Sequence, residues 1–323
     1  MRATKNLQPS TLDLRPSPKM YFVRRILFAI PLLLVISALA FALVHLAPGG
    51  PFDRERAPAS PEIERHIKAK YHLDEPVWKQ YLRYLGNLAR GDFGPSLKYR
   101  DHTVNDIIAQ GLPVSMTLGG LAFCFAMMIG LPLGFFTAAR RGHWEDFAGS
   151  FFALVMVCIP GFVLAPLLIL IFSIKLKLFP VGLWETPWHM ILPPIALGLF
   201  FAGKIARLFR EEMLAAAQSE FITAARAKGL AEYSLLLKHA VRIGILPVVS
   251  YAGPMLADML TGSFIIESIF QIPGIGVFLI NGSLNRDYTV VVGLSLLYAI
   301  LLIGMNLMVD FAYTLLDPRV KYE

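Results

Sequence analysis

A polar segment, residues 219–247, carries the residue types best suited to binding another protein. It reads SEFITAARAKGLAEYSLLLKHAVRIGILP and lies between long apolar runs; we call it the docking segment. Its basic side chains are Arg226, Lys228, Lys238 and Arg242. A bilayer core would reject this many charges, so the chemistry expected here is recognition in water.

The docking segment also predicts two short helices that meet at Gly229. Apolar residues recur every three to four positions on each side of this glycine, as they do in amphipathic helices. Gly229 followed by Leu230 is typical of a helix C-cap, because glycine adopts the left-handed conformation without a steric penalty. We therefore expect a bend at Gly229, with Leu230 packed back against the first helix.

An acidic residue, Asp258, lies in the middle of a later apolar run, within the sequence ADMLTG. An ionised carboxylate costs at least about 2.5 kcal/mol at the centre of a bilayer. We therefore expect Asp258 to face a cavity or a partner, and we assign it, with Gly262 one turn later, to a candidate translocation path. Asp310, near the end of the last apolar run, is expected to be interfacial.

Motifs for catalysis and cofactor binding are missing from the sequence. It contains no GxxxxGK[ST] phosphate loop, no HExxH and no GxSxG. The two cysteines, Cys124 and Cys158, lie in separate apolar runs with no CxxC spacing. We therefore expect no catalytic, cofactor or metal site, and no ATP hydrolysis by this chain.

The composition indicates a membrane protein. Of 323 residues, 56% are hydrophobic and only 16% are charged, with a mean hydropathy of +0.58. A soluble domain carries about 25% charged residues. Six spans are predicted, at residues 26–47, 112–138, 148–174, 189–209, 246–267 and 289–315.

The distribution of basic residues predicts that both termini are cytoplasmic. The segments assigned to the inside, 1–25, 139–147, 204–244 and 316–323, carry 17 Lys and Arg residues, and the short outside loops, 175–188 and 268–288, carry three. This asymmetry follows the positive-inside rule. The loop at 48–110 exceeds the length to which the rule applies, and it is free to lie outside.

The docking segment resembles the cytoplasmic loop of bacterial ABC-importer permeases. In that family Ala-Ala, three residues and Gly precede a helix that docks on the ATPase, and Ala224, Ala225 and Gly229 match this spacing. Thr223 and the run from His239 to Arg242 depart from the general pattern but are typical of its peptide and nickel branch. The resemblance thus implies an ATPase-coupling loop containing Thr223, Ala224, Ala225, Arg226, Lys228, Gly229, His239 and Arg242.

Two further stretches resemble the oligopeptide permease B subunits of this branch. The first is KYHLDEP followed by GDFGPS in the loop at 48–111; the second is a run with PGIG followed by NRDY at 273–288. They imply a periplasmic loop and a periplasmic turn containing Pro273, Gly274, Gly276, Arg286 and Asp287. The turn either protrudes toward substrate or is a re-entrant plug; the loop is a cap, a contact surface for a binding protein, or both.

The resemblance covers nearly everything from Met20 onward and implies an all-α membrane protein with six transmembrane helices and the type I ABC-importer (MetI-like) permease fold. The implied organisation is a disordered cytoplasmic tail at 1–19, a first transmembrane helix at 20–47, a periplasmic loop at 48–111, a transmembrane core at 112–315 with a coupling loop at 210–245, and a cytoplasmic C-terminus at 316–323. The implied partners are a second permease subunit, two ATPase subunits, a periplasmic peptide-binding protein and the lipid bilayer.

The implied function is to move oligopeptides across the bacterial inner membrane, where Asp258 would either contact peptide amino termini or pair with a structural partner. Dipeptides or nickel are alternative cargo for the same machinery. An ion-coupled secondary transporter and an intramembrane enzyme are the alternatives from other classes. Vanadate-sensitive uptake in vesicles would separate the first hypothesis from these two.

Overall fold

A computed structural model describes residues 18–46, 72, 74–99 and 102–316 of the chain. The described residues fold into α-helices and loops, with one isolated β-bridge between Pro95 and Thr103. The predicted tail up to residue 17, most of the loop between 47 and 73 and the C-terminus from 317 lie outside the described residues.

Eleven α-helices occur within these ranges. They are α1 (Pro18–Leu46), α2 (Val77–Leu88), α3 (Val104–Ala139), α4 (Trp144–Cys158), α5 (Gly161–Leu168), α6 (Leu192–Ala217), α7 (Glu220–Ala227), α8 (Glu232–Leu235), α9 (Val241–Phe270), α10 (Ile275–Asn285) and α11 (Tyr288–Leu316). Short π-helical stretches continue α5 through Lys175 and join α8 to α9.

Five described helical segments are individually long and apolar enough to cross a membrane. They are α1, α3, the segment 187–217, the segment 232–260 and α11. Two further helix pairs pass the same test but are bent, by 98° between α4 and α5 and by 90° between the end of α9 and α10. The predicted third span, 148–174, is therefore broken, since Pro160 ends α4 and starts α5. Five to seven spans fit the described helices, and the count of six stays a prediction.

Helices α3 and α6 form the centre of the bundle because small residues let them approach closely. A Cβ atom on Gly130 would lie 2.7 Å from the carbonyl oxygen of Ala202, and one on Gly134 would lie 2.6 Å from that of Ala206. The Gly130-x-x-x-Gly134 motif therefore lets the two helix backbones approach closely. The main buried cluster extends from this contact to α4, α5 and α9.

Two ends of the bundle can be distinguished by their contacts. At the first, which we call the basic end, Arg25 pairs with Asp310 and Arg210 forms a bidentate ion pair with Asp146 at 2.8 Å. At the opposite end, the His45 and Tyr288 rings lie 4.9 Å apart, and the backbone N–H of Leu183 donates to the carbonyl of Phe270. The docking segment lies at the basic end, because α7 begins at Glu220, directly after α6 ends at Ala217.

Candidate functional site

The docking segment folds as the predicted bent pair of helices. Helix α7 ends at Ala227, and Gly229 follows with φ of +83°, in the left-handed region. A Cβ atom at Gly229 would meet nothing within 4 Å, so the glycine is required by the backbone conformation and not by crowding. The chain then turns into α8.

An ion pair spans this bend. The Arg226 guanidinium donates to both oxygens of the Glu232 carboxylate, from Nε at 2.9 Å and Nη2 at 2.7 Å. The hydrogen bond to Glu232 raises the pKa of Arg226 above its ordinary value. Because both side chains are exposed, the pair contributes little to the free energy of folding, although it connects α7 to α8 across the bend.

The docking segment has one buried and one exposed apolar face. The buried residues Ile222, Leu235, Leu236 and Ala240 fix it to the bundle. The exposed large apolar residues are Phe221, Leu230, Tyr233, Leu237 and Ile243. The expectation that Leu230 packs back is wrong, because its side chain is 46% exposed.

The predicted coupling residues lie mostly on the exposed side. Thr223, Ala224, Arg226, Lys228, Gly229 and Arg242 are exposed, whereas Ala225 and His239 are half-buried. The His239 ring meets the Phe221 ring edge-to-face at a centroid distance of 5.5 Å, which joins α7 to the π-helical turn before α9. The predicted residues are thus brought together on one surface of apolar and basic character.

The predicted periplasmic turn lies at the end of the bundle opposite the basic end, and it packs into the bundle. Gly274 and Gly276 are buried and Pro273 is exposed. A Cβ atom on Gly276 would lie 2.2 Å from the Cβ of Phe264, so α10 can approach α9 this closely only with glycine. The described geometry is a sharp bend between α9 and α10.

The turn is held by Glu267, which was not among the predicted site residues. Its carboxylate is fully buried and accepts hydrogen bonds from Ser115 at 2.7 Å, Ser263 at 2.8 Å and the backbone N–H of Gly276 at 2.9 Å. These donors belong to α3, α9 and the first turn of α10. A carboxylate at a helix N-terminus is also stabilised by the helix dipole.

Asp287 also joins segments through hydrogen bonds to its carboxylate, in this case two stretches that the sequence analysis treated separately. Its buried carboxylate accepts hydrogen bonds from the Ser96 hydroxyl at 2.5 Å and from the Leu97 backbone N–H at 3.1 Å. The GDFGPS sequence is thereby fastened to the start of α11. Arg286 is half-buried, with φ of +58° at the C-cap of α10.

Asp258 is exposed on α9, midway along an apolar helix. The surroundings of Gly262 lie outside the described side chains. The structure shows a second mid-helix charge: Lys204, which the sequence analysis counted with the inside segment 204–244, is exposed within α6. The rule that identified Asp258 applies equally to Lys204 and Glu267, which lie within the predicted spans 189–209 and 246–267.

The chain matches two protein families along most of its length. Residues 130–322 match the binding-protein-dependent transport system inner membrane component family. Residues 19–119 match the N-terminal region described for membrane components of the same transport systems.

Named relatives extend over nearly the whole chain. It is 44% identical over 304 residues to the oligopeptide transport system permease protein OppB of Haemophilus influenzae and to that of Escherichia coli K12, covering 94% of this chain and 99% of each relative. It is 42% identical over 301 residues to the dipeptide transport system permease protein DppB of Bacillus subtilis, covering 93% of this chain and 97% of that one.

A solved structure shares the fold. An inward-facing structure of the MetNI methionine ABC transporter matches with a TM-score of 0.54 and 18% identity, covering 65% of this chain and 96% of that chain. At this identity the likeness concerns the fold alone, and it agrees with the predicted type I permease fold. The chain is a multi-pass membrane protein, and it belongs to the family of binding-protein-dependent transport system inner membrane components.

Proposed function

We propose that this chain is a membrane-spanning permease subunit of an ATP-driven importer that moves oligopeptides across the bacterial inner membrane. Its relatives include OppB proteins over 94% of its length, which supports oligopeptides as the cargo class. In this proposal a second permease subunit completes the path, two separate ATPase subunits hydrolyse ATP, and a periplasmic binding protein delivers the peptide.

The observation that carries the proposal is the two-faced docking segment. A solvated connector needs no exposed cluster of large apolar side chains, yet Phe221, Tyr233 and Leu237 are between 47% and 64% exposed. Exposed apolar surface of this kind, bordered by Arg226 and Lys228, fits a protein partner at the basic end. A rigid bend at Gly229 would let a movement of that partner reach α9 directly, because α8 continues into α9 without a loop.

Dipeptides remain the runner-up cargo because the DppB relative of Bacillus subtilis is nearly as similar, at 42% identity. An ion-coupled secondary transporter is the alternative from another class. Lys204 and Asp258 are two mid-helix charges of opposite sign, of the sort such a transporter uses, which makes a direct test necessary.

The test is uptake by proteoliposomes that contain this chain with its permease partner and ATPase subunits, supplied with the binding protein. We expect uptake of a labelled oligopeptide that requires ATP on the side of the membrane where the ATPase subunits are bound. Vanadate should stop this uptake. Uptake driven by a proton or sodium gradient in the absence of ATP would support the secondary transporter instead.

A further inference from the structure

Lys204 is a cation on the surface of α6, thirteen residues before the helix ends at Ala217. Its ammonium lies 4.5 Å from the centroid of the Phe200 ring and 6.0 Å from that of Tyr251 on α9. A lysine this deep in an apolar helix is costly, and aromatic faces offset only part of that cost. Its exposure indicates that it meets something outside the chain.

Tyr251 and Asp258 continue the same surface along α9. They are seven residues apart, which places them on one face with an axial separation of about 10 Å. The Tyr251 hydroxyl is buried and has no hydrogen-bond partner among the described residues.

An apolar cleft of ≈ 240 Å³ borders this row of polar groups. It lies between the break of α4 and α5, the first half of α6 and the last turns of α9. The Phe200 ring, over which the Lys204 ammonium lies, lines this cleft together with Phe201, Ile265 and Ile266. A cation, an anion and an apolar recess therefore share one surface.

We propose that Lys204, Tyr251 and Asp258 form a dipolar strip that binds both ends of a short zwitterionic peptide. Lys204 takes the carboxylate, Asp258 takes the ammonium group, and the apolar cleft accepts a side chain. An extended chain advances about 3.3–3.6 Å per residue, so a tripeptide spans about 10 Å and can present both of its charged ends to one surface. The inference rests on the proposed function and names the part of the substrate that the path recognises.

Charge complementarity favours a peptide over a structural ion pair with a neighbouring subunit. The strip presents an exposed cation, Lys204, and an exposed anion, Asp258, which matches a molecule with oppositely charged ends. Binding through groups common to all peptides gives little preference for sequence. Weak contacts of this kind also permit release, as conduction requires.

The test compares three labelled probes, trialanine with free ends, its C-terminal amide and its N-acetyl form, in the reconstituted complex with ATP. Each initial rate of uptake is divided by the rate of the parent complex for the same probe, so the preference of the binding protein cancels. We expect Lys204→Gln to lower uptake of free trialanine roughly tenfold and uptake of the amide less than about twofold, because only the free carboxylate loses a charge-assisted contact. Asp258→Asn should show the mirror pattern, sparing the N-acetyl form.

Lys79→Gln is the matched control, since Lys79 also lies over an aromatic ring, that of Trp78 at 5.6 Å, but belongs to α2. We expect no terminus-dependent change in this variant, and near-parent rates for Lys204→Arg. Equal loss for all probes, no loss, or failure of Lys204→Gln to co-purify with its partners would overturn the dipolar strip. A parent complex that moves no probe with ATP would instead overturn the proposed function.

Discussion

The Glu267 carboxylate holds three helices together at the bend between α9 and α10. Ser115, Ser263 and the Gly276 N–H all donate to it, and it is fully buried. Buried donors that lose their acceptor cost about 1–3 kcal/mol each, because they cannot exchange the bond for one to water.

We therefore expect Glu267→Ala to lower the thermal stability of the purified complex, by several degrees in Tm, and to loosen the bend between α9 and α10. Glu185→Ala is the control, because Glu185 is an exposed carboxylate at the same end. Thermal unfolding monitored by tryptophan fluorescence provides the measurement. Equal Tm values for the two variants would show that the hydrogen bonds to Glu267 do not hold the turn.

Individual residues differ in how far the sequence could place them. Asp258 could be predicted because a charge inside an apolar run stands out whatever its neighbours are. The contacts of Glu267 and Asp287 could not be predicted, since each joins segments far apart in the chain, such as Ser96 to Asp287. Lys204 was missed because, although it lies within the predicted span 189–209, it was counted with the inside segment 204–244.

At the scale of elements, the bend between α7 and α8 depends on the backbone of one residue. Gly229 has φ of +83° and open space around its Cβ position, so a side chain there would be opposed by conformation alone. For a β-branched residue this conformation is a true outlier.

We expect Gly229→Val to reduce peptide-stimulated ATPase activity and uptake together, while membrane insertion and basal ATPase activity stay near those of the parent. Gly142→Val is a matched control, because Gly142 also has positive φ, +80°, with nothing within 4 Å of its Cβ position, but lies outside the docking segment. The measurement compares peptide-stimulated ATPase activity and peptide uptake in each variant with those of the parent. Full coupling in Gly229→Val, or the same loss in Gly142→Val, would contradict a specific role of the bend.

The positions of the long helices followed from the apolar runs, but their ends and breaks did not. The predicted span 112–138 is part of a helix that begins at Val104, where Thr103 and Asp106 form a capping box. The 98° break after Cys158 was not predicted, because prolines occur in several spans and only the surrounding contacts determine which one ends a helix.

At the scale of the whole molecule, the two ends of the bundle must lie on opposite sides of the membrane. The basic end carries the docking segment, and the opposite end carries the Asp287 and Glu267 junctions. The positive-inside rule assigns the basic end to the cytoplasm.

We expect cysteines introduced singly at Ser219 or Arg141 to be shielded from an impermeant thiol reagent in intact spheroplasts, and cysteines at Lys177 or Leu284 to be labelled. Cys124 and Cys158, both exposed on the chain, are replaced first. Labelling after the membrane is opened is the control for accessibility. Labelling of Ser219→Cys from outside would reverse the orientation.

Direct capture of the docking partner tests the central claim, that the docking segment is where this permease meets its ATPase. A photo-crosslinking amino acid is placed at Tyr233, which is 64% exposed in the docking segment, and in a separate variant at Trp78, which is 62% exposed at the opposite end. The account predicts that the assembled complex gives a crosslink to the ATPase subunit from position 233 and none from position 78. Absence of the ATPase crosslink at position 233 in a complex that still performs ATP-driven uptake would contradict it.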